Sequence, residues 1–294
     1  ALGGGFQSAE GLRMTNGERL YTTEAIIVRR RDQGEADRVL TLCTPQGKRV
    51  VIAKGARKVS SRKAGHLELF ARVRMVVARS PSSWDVVSQA EALEPHAAVR
   101  GDLIRGTYAR YVTELYDRFV AEDEGGPALF DLLSRTLDYL SQIEVGESVP
   151  PALDLLVRAY EQRLLSLVGF RPEWGRCMGE REGRLCGRPL PVRGKTSLGL
   201  DPERGGALCA ECFQASVAQW VMPLSPAALG LLRACQRLPF ARLRELRVSP
   251  ALLAEVERSM HHYLTHHLEQ DIRTGTFLRR LRRAQRSNVA QDLS

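Results

Sequence analysis

Four cysteines lie within one short segment, and their spacing is typical of a metal site. Cys177 and Cys186 form C-x8-C, and after 22 residues Cys209 and Cys212 close the segment as C-x2-C. A C-x2-C turn lets two thiolates bind the same ion, and four thiolates complete the tetrahedral shell of Zn²⁺ without leaving a position for water. The cysteines therefore predict one structural zinc ion rather than a catalytic metal.

Two disulfides are the alternative use of these cysteines. Disulfides persist in oxidising compartments, and the N-terminus lacks the charged-then-apolar pattern of a secretory signal. No apolar run approaches the ~20 residues needed to span a bilayer. We therefore expect a reducing, cytoplasmic location without membrane contact, and we favour the metal. Cys43 and Cys235 lie outside the segment and are interpreted as small buried apolar residues.

A second group of candidate functional residues is cationic. The stretch AKGARKVSSRKAGH, residues 53–66, is rich in Gly and Ser and has no acidic residue. Its five cations are Lys54, Arg57, Lys58, Arg62 and Lys63. With 43 basic and 34 acidic residues the whole chain carries a net charge of +9, which favours a polyanionic partner. We therefore interpret this stretch, called the cationic loop below, as a phosphate contact; the alternative is a solvated loop that only aids solubility.

The basic residues are concentrated near the two ends of the chain. Residues 1–95 hold 16 basic and 10 acidic side chains, whereas residues 96–172 hold 8 and 12. A second basic element closes the chain with Arg279, Arg280, Arg282, Arg283 and Arg286. It is either a second contact for nucleic acid or a frayed polar tail. If both elements bind, one molecule could hold two strands.

Residues 21–92 have the pattern of short strands. Five runs rich in valine and isoleucine are separated by turn residues. In the run LFARVRMVVAR, residues 69–79, strand alternation places Phe70, Arg72 and Arg74 on the outer face, where the two arginines would extend the cationic surface. Five short strands fit a small closed barrel, of which the OB-fold is a nucleic-acid-binding example.

After Pro95 the apolar residues recur every three or four positions, which predicts helices. One helical face would run from Leu103 to Phe119. Two further helices would begin at Ser225-Pro226 and Ser249-Pro250, because each dipeptide pairs an N-cap residue with a proline at the first helical position.

The predicted organisation is multi-domain, with an N-terminal all-β OB-fold barrel followed by an α-helical domain. Residues 1–20 would be an extension or a cloning remnant, residues 21–95 the barrel, and residues 96–294 the helical domain. The four-cysteine zinc element, residues 173–213, is inserted in the helical domain. Because it has few large apolar residues, it cannot build its own core, and another interaction must hold it.

Several stretches resemble one known family, in the order in which that family has them. The stretch EAIIVRRRDQGEADRVLTLCTPQGKRVVIAKGARKVSSR resembles the amino-terminal motif of that family. The stretch SQAEALEP resembles the end of its first domain. The two sides of its four-cysteine insert resemble LLSLVGFRPEWGRC and GGALCAEC, and its closing helix and tail resemble YLTHHLEQDIRTGTFLRRL. These stretches extend from Tyr21 to Leu281 and resemble the RecO family of bacterial recombination mediators.

The resemblance implies an OB-fold, a helical domain with a zinc element, and a role in recombinational DNA repair. It also implies binding of single- and double-stranded DNA, annealing of complementary strands, a nucleoid association, and joint action with RecR and SSB to load a recombinase. Many family members open the metal site with C-x2-C, whereas six extra residues separate Cys177 from Cys186 here.

We expect this DNA binding to be mainly electrostatic and independent of base sequence. Residues 20–95 contain only Tyr21, Phe70 and Trp84 as aromatic residues, too few for base stacking to dominate. With about six phosphate contacts, the log–log slope of affinity against salt should be on the order of −4 to −5. Annealing would need no ATP, because a basic surface lowers the repulsion between strands and base pairing supplies the free energy.

Two other classes of function are the alternatives. A metal-dependent enzyme acting on nucleic acid would need an open metal site or an acidic cluster, and we predict no catalytic residue. The stretch GKT at 194–196 lacks the preceding glycine of a phosphate-binding P-loop, because position 189 is a proline. A protein-binding adaptor would use the acidic helices of residues 96–172 for its partners and leave the cationic loop solvated.

Overall fold

The computed structural model describes residues 20–59, 61, 63–81, 83–146, 149–268, 272, 274 and 275. The long strands come first and are β1 (Leu20–Gln33), β2 (Asp37–Thr44), β3 (Gly47–Ala53), β4 (Arg72–Ala78) and β5 (Asp85–Glu94). The helices are α1 (Ala97–Gly101), α2 (Leu103–Phe119), α3 (Pro127–Gln142), α4 (Pro151–Leu167), α5 (Ala210–Gln214), α6 (Pro226–Arg237), α7 (Phe240–Leu243) and α8 (Pro250–Leu268). Between α4 and α6 lie short strands β6 (Glu180–Arg181), β7 (Arg184–Leu185), β8 (Leu198–Asp201), β9 (Gly206–Leu208) and β10 (Met222–Leu224).

Strands β1 to β5 close into a barrel in the order β1-β2-β3-β5-β4, with β4 paired back to β1. Neighbouring strands are antiparallel except β3 and β5, which run parallel where Val51 pairs with Asp85. Alternate residues point inwards, as a strand requires, and form an apolar cluster separate from that of the helices. The prediction of a β-rich amino-terminal part followed by a helical part is confirmed.

One side of the barrel packs on the helices. Ile26, Val28 and Cys43 point out of the barrel and belong to the apolar cluster of the helical part. Phe70 lies outside the barrel, as predicted, but it is only 2% exposed because the same helices cover it. The outer face of the barrel is therefore divided between a surface against the helices and a surface open to solvent.

The predicted helical pattern is confirmed in its main features. Tyr108 and Leu115 of α2 are fully buried, but Leu103 is 66% exposed because it is the first residue of the helix. Ser225 caps α6 as predicted, its Oγ accepting a hydrogen bond from the N–H of Ala228 at 3.1 Å. Cys43 and Cys235 are both buried, in agreement with their interpretation as small apolar residues.

The helices supply the apolar surroundings that the four-cysteine segment lacks. The buried tryptophan and leucines of the segment belong to the helical cluster: Trp174, Leu190, Leu198, Leu200 and Leu208. The indole N–H of Trp174 donates to Gln162 of α4 at 3.0 Å, and the guanidinium of Arg233 in α6 donates to the Trp174 carbonyl at 2.6 Å. The segment is thus anchored to α4 and α6 at its start.

Lys48 and Gly47 join the barrel to the helices. The Nζ of Lys48 lies 2.7 Å from a carboxylate oxygen of Asp117 and 2.9 Å from the carbonyl of Val120, and its backbone N–H donates to the carbonyl of Glu124 at 2.8 Å. Gly47 has a φ of 122°, and a Cβ there would lie 2.8 Å from the carbonyl oxygen of Glu124. Such a close approach at a positive φ requires glycine.

We expect Gly47→Ala to lower the free energy of unfolding by about 1–3 kcal/mol, because a Cβ is strained at this φ and collides with the Glu124 carbonyl. Urea denaturation measures the loss. Gly34→Ala is the matched control, since Gly34 also has a positive φ but no atom within 4 Å of the added Cβ. Equal losses for the two variants would show that the contact with Glu124 contributes nothing.

Candidate metal centre and nucleic-acid interface

The four cysteines of the insert converge on one point. Their Sγ atoms all lie within 4.8 Å of one another, and those of Cys186 and Cys209 are 4.0 Å apart. All six cysteines are free thiols, and a disulfide of about 2.05 Å would be far shorter than this separation. Sulfur ligands at about 2.3 Å from a tetrahedral ion stand about 3.8 Å apart. The cluster therefore has the geometry to hold a metal ion.

A β-hairpin bridges the long C-x8-C spacing. Strands β6 and β7 pair with each other and turn at Glu182 and Gly183, both of which have a positive φ. At the base of the hairpin the N–H of Cys186 donates to the carbonyl of Gly179 at 2.8 Å, only two residues from Cys177. The hairpin thus projects the extra residues away and brings the first two thiols together. This turn was not predicted from the sequence, although Gly183 in Glu-Gly could have indicated it.

The surroundings of the sulfur atoms are crowded and partly polar. The Sγ of Cys177 accepts hydrogen bonds from the N–H of Cys209 at 3.1 Å and of Gly179 at 3.4 Å. A Cβ at Gly179 would lie 2.6 Å from the Cβ of Cys212, so only glycine fits beside this cysteine. Burial raises the pKa of Cys212 to about 12 and also raises the pKa of Cys177. A bound cation must therefore displace thiol protons.

In the structure, some cations of the cationic loop bond to the barrel and others are exposed to solvent. Arg57 donates to the carbonyl of Gly34 at 3.1 Å and lies 3.4 Å from Asp32, and Lys63 donates from Nζ to the carbonyl of Val87 at 2.8 Å. These two side chains fasten the loop to the barrel. Lys54 and Lys58 are exposed, and within the described residues neither has an acidic partner. Arg62 lies outside the described residues.

The remaining predicted contacts are not gathered with the loop. Arg72 and Arg74 both pair with Glu24 on the neighbouring strand, at 2.8 and 3.7 Å. Arg72 also lies over the ring of Phe130 in α3, with 5.8 Å between its guanidinium carbon and the ring centroid. Both arginines thus have partners within the protein, and Arg72 lies at the boundary between barrel and helices.

The second basic element lies outside the described residues, which end shortly before it. Its predicted contacts there are Arg279, Arg280, Arg282 and Arg283. The preceding segment is attached to α2, where the N–H of Thr274 donates to Glu114 at 2.9 Å. A Cβ at Gly275 would lie 3.2 Å from the ring of Tyr111, so this segment follows α2 closely.

Two pairs of a cation and an aromatic ring on the barrel were not predicted. The guanidinium carbon of Arg31 lies 5.2 Å from the ring centroid of Trp84, and that of Arg79 lies 5.5 Å from the ring centroid of Tyr21. The two residues of each pair are far apart in the sequence, so no local pattern could reveal the contact between them. Counting aromatic residues alone led to the expectation that stacking is secondary.

A groove between α3, α4 and the segment that joins α6 to α7 is also new. It has a volume of about 800 Å³, and its apolar wall includes Tyr139, Leu167 and Phe240. Four arginines contribute to it: Arg135, Arg163, Arg171 and Arg237. The groove is therefore cationic, although residues 96–172 as a whole are acidic. Its residues come from separate helices, which is why the sequence did not indicate it.

Among the described residues, no helix is both long enough and apolar enough to cross a bilayer.

Two protein-family models match the chain. The family model for the amino-terminal domain of recombination protein O matches residues 18–96, and the family model for its carboxyl-terminal domain matches residues 100–275. These two matches together include the barrel, the helices and the four-cysteine segment.

Similar proteins of known name cover nearly the whole chain. The DNA repair protein RecO of Roseiflexus sp. (strain RS-1) is 40% identical over 271 residues, which are 92% of this chain and 89% of that protein. The DNA repair protein RecO of Desulforudis audaxviator is 37% identical over 89% of this chain and 97% of its own length. That of Pelotomaculum thermopropionicum is 34% identical over 94% of this chain and 100% of its own length. The chain therefore belongs to the RecO family.

Proposed function

We propose that this chain is a recombination mediator of DNA repair that binds single- and double-stranded DNA mainly through phosphates. The observation that carries the proposal is the pair Lys54 and Lys58, exposed and without an acidic partner among the described residues, on an acid-free loop of a RecO-family barrel. Phosphate contacts of this kind supply affinity without sequence preference. The protein would act in the cytoplasm, at the nucleoid, together with RecR and SSB.

The barrel, residues 21–95, would be an OB-fold. Support comes from its five strands, its closed order β1-β2-β3-β5-β4 and the parallel pairing of β3 with β5. Residues 96–294 would form the second domain, and residues 173–213 its metal-binding insert. This assignment agrees with the presence of two separate apolar clusters, one in the barrel and one shared by the helices and the insert.

The metal of the insert would be a single structural Zn²⁺ held by Cys177, Cys186, Cys209 and Cys212. Four sulfur ligands in a compact cluster are the donor set that zinc prefers in structural sites. Because all four ligands would be supplied by the protein, no position is left for a water molecule or a substrate. The zinc would stabilise the insert and would take no part in a reaction.

Strand annealing follows from charge and needs no catalytic residue. Two single strands repel each other through their phosphates, and a cationic surface that neutralises both lowers the cost of their encounter. Base pairing then supplies the free energy, so no ATP is consumed. The exposed lysines of the cationic loop would serve one strand, and the basic element near the carboxyl terminus would serve the other.

The test is annealing of two labelled complementary oligonucleotides without ATP, across a series of salt concentrations. We expect wild-type annealing to fall steeply with salt, and Lys54→Ala/Lys58→Ala to make the log–log slope of DNA affinity shallower by about 1 per lysine. Replacing all five cations of the loop with alanine should reduce binding further. That variant also removes Arg57 and Lys63, which fasten the loop, so the double variant is the cleaner measurement.

The control is Arg193→Ala/Lys195→Ala, which removes the same charge from exposed positions of the insert. It should leave the salt slope unchanged. If both double variants weaken binding equally, affinity follows net charge and the loop is not a contact. If the wild type fails to anneal at every salt concentration, the mediator function is wrong.

A second candidate function, that of a protein-binding adaptor, is favoured by the groove between α3, α4 and α7. Its exposed arginines Arg135, Arg171 and Arg237 surround apolar side chains, which suits an acidic peptide with an apolar residue. Arg135→Glu should then abolish binding of a partner such as SSB without changing the salt slope of DNA binding. An adaptor without DNA activity would retain all its function in the Lys54→Ala/Lys58→Ala variant.

A further inference from the structure

Trp84 is held at the surface of the barrel beneath a cation. Its side chain precedes β5 and is 37% exposed, and the guanidinium carbon of Arg31 lies 5.2 Å from its ring centroid. The loop before it is braced, because Ser80 and Ser83 share a hydrogen bond of 2.7 Å and the N–H of Ser80 donates to Asp85 at 3.0 Å. The indole is thus a positioned aromatic surface on an exposed loop.

The strands next to Trp84 carry a row of residues in which Arg31 is exposed, Ile52 and Val86 are half-buried and Val39 is buried. Arg31 pairs with Val39, Val39 with Ile52, and Ile52 with Val86, so the row crosses four strands. The three apolar residues of the row alternate along their strands with residues that point into the barrel, so the row itself lies on the outer side. These inward residues are Leu40, Val51, Ala53 and Val87. Within the described chain, none of the three apolar residues belongs to the cluster that packs on the helices.

The row leads directly to the cationic loop. Lys54 follows β3 two residues beyond Ile52, about 7 Å further along the strand. Among the described residues Arg31 has no carboxylate within ion-pair distance. A strand of nucleic acid lying across this face would therefore meet an aromatic ring and a guanidinium first, and the exposed lysines of the loop next.

We propose that Trp84 stacks on an unpaired nucleobase and gives this face of the barrel a preference for single-stranded over duplex DNA, with Arg31 binding the adjacent phosphate. The proposal rests on the DNA binding proposed above and adds the strand type that this face selects. An aromatic ring beside cations is the arrangement used by surfaces that bind single strands without sequence preference. A duplex cannot use the ring, since its bases are already stacked and paired.

A purely structural role for Trp84 would have different consequences. The indole is absent from the apolar cluster inside the barrel, so truncating it should change the melting temperature little. The loss should instead appear in binding, and only for substrates that have accessible bases. Trp84→Phe keeps an aromatic ring at the position and should restore most of the affinity.

The test measures fluorescence anisotropy with three probes of equal length: an oligothymidine, an abasic oligonucleotide and a duplex. We expect Trp84→Ala to weaken binding of the oligothymidine by about 5- to 150-fold, with changes below twofold for the other two probes. The salt slope should be unchanged, because no phosphate contact is lost. In a Trp220→Phe background, which removes the other exposed tryptophan, the oligothymidine should quench the emission and the abasic probe should not.

The outcomes separate this proposal from the proposed function. If the wild type binds all three probes and Trp84→Ala weakens all of them equally, or none of them, Trp84 makes no stacking contact while DNA binding stands. If Trp84→Phe binds the oligothymidine no better than Trp84→Ala does, stacking is again wrong. If the wild type binds none of the three probes, the proposed DNA binding fails and the stacking proposal fails with it.

Discussion

Removing the metal from the four-cysteine cluster is expected to unfold the tip of the insert and leave the barrel intact. Binding of a structural zinc ion is worth about 10–16 kcal/mol in small zinc domains at neutral pH, far more than a hairpin with two-residue strands can supply. Cys186 directly follows the exposed β6–β7 hairpin, Cys209 directly precedes the five-residue α5, and Cys212 lies within α5. Trp174 and Leu200 are buried among the helices, so the base of the insert should stay attached.

Hydrogen exchange and metal analysis together test this expectation. The wild type should contain one equivalent of zinc, and a strong chelator should remove the protection of β6, β7 and α5, while that of β1 to β5 and of the buried β8 is retained. Substituting any of the four cysteines with serine should have the same effect. Cys235→Ala is the control, because Cys235 is buried in α6 outside the cluster, and it should retain its zinc. Unchanged protection after complete removal of the metal would contradict a structural role.

Arg158→Met is expected to destabilise the helical part by about 3–5 kcal/mol, because it removes one partner of a buried ion pair. Arg158 lies 2.9 Å from Glu161 in α4, and their side chains are 4% and 0% exposed. Burial by itself lowers the pKa of the guanidinium, but Glu161 together with Tyr111, Glu257 and Asp154 outweighs burial and holds the pKa above its ordinary value. The hydroxyl of Tyr111 also donates to Glu161, at 2.6 Å.

A double-mutant comparison identifies the cause of the loss. Arg158→Met/Glu161→Gln removes both charges and should recover much of the stability, because the fully buried carboxylate of Glu161 is neutralised together with its cation. The matched control is Arg242→Met. Arg242 forms an exposed pair with Glu245 at 3.2 Å, and such pairs are worth about 0–1 kcal/mol. A loss below 1 kcal/mol for Arg158→Met in chemical denaturation would show that this buried pair contributes little.

The four-cysteine cluster is a feature that residue type and spacing were sufficient to predict. The spacing of four cysteines predicted that their thiols converge, without any knowledge of the fold, because four thiolates suit a tetrahedral ion. The C-x8-C spacing remained ambiguous as a sequence, since eight residues do not by themselves bring two thiols together. The hairpin that turns at Glu182 and Gly183 resolves it, because its pairing and the bond from Cys186 to Gly179 bring the two ends of the spacing together.

For the cationic loop, by contrast, the sequence did not reveal which cations are available to a partner. Its composition predicted five equivalent cations, yet Arg57 bonds to a backbone carbonyl of the turn between β1 and β2, and Lys63 to one of β5. Arg72 and Arg74 likewise pair with Glu24, a residue about 50 positions earlier. A count of charges cannot distinguish a side chain that binds a partner from one that fastens the protein to itself, because the distinction lies in which carbonyl or carboxylate is within reach.

The sequence by itself determined that a β-rich part precedes a helical part, and which four cysteines lie close enough to hold one metal ion. These follow from periodicity and residue chemistry, which act over a few neighbouring positions. The tertiary structure alone decided which lysines are exposed, that Arg31 covers Trp84, and that arginines from separate helices line one groove. Each of these is a contact between distant residues, and such contacts exist only once the apolar clusters have closed and fixed the distances.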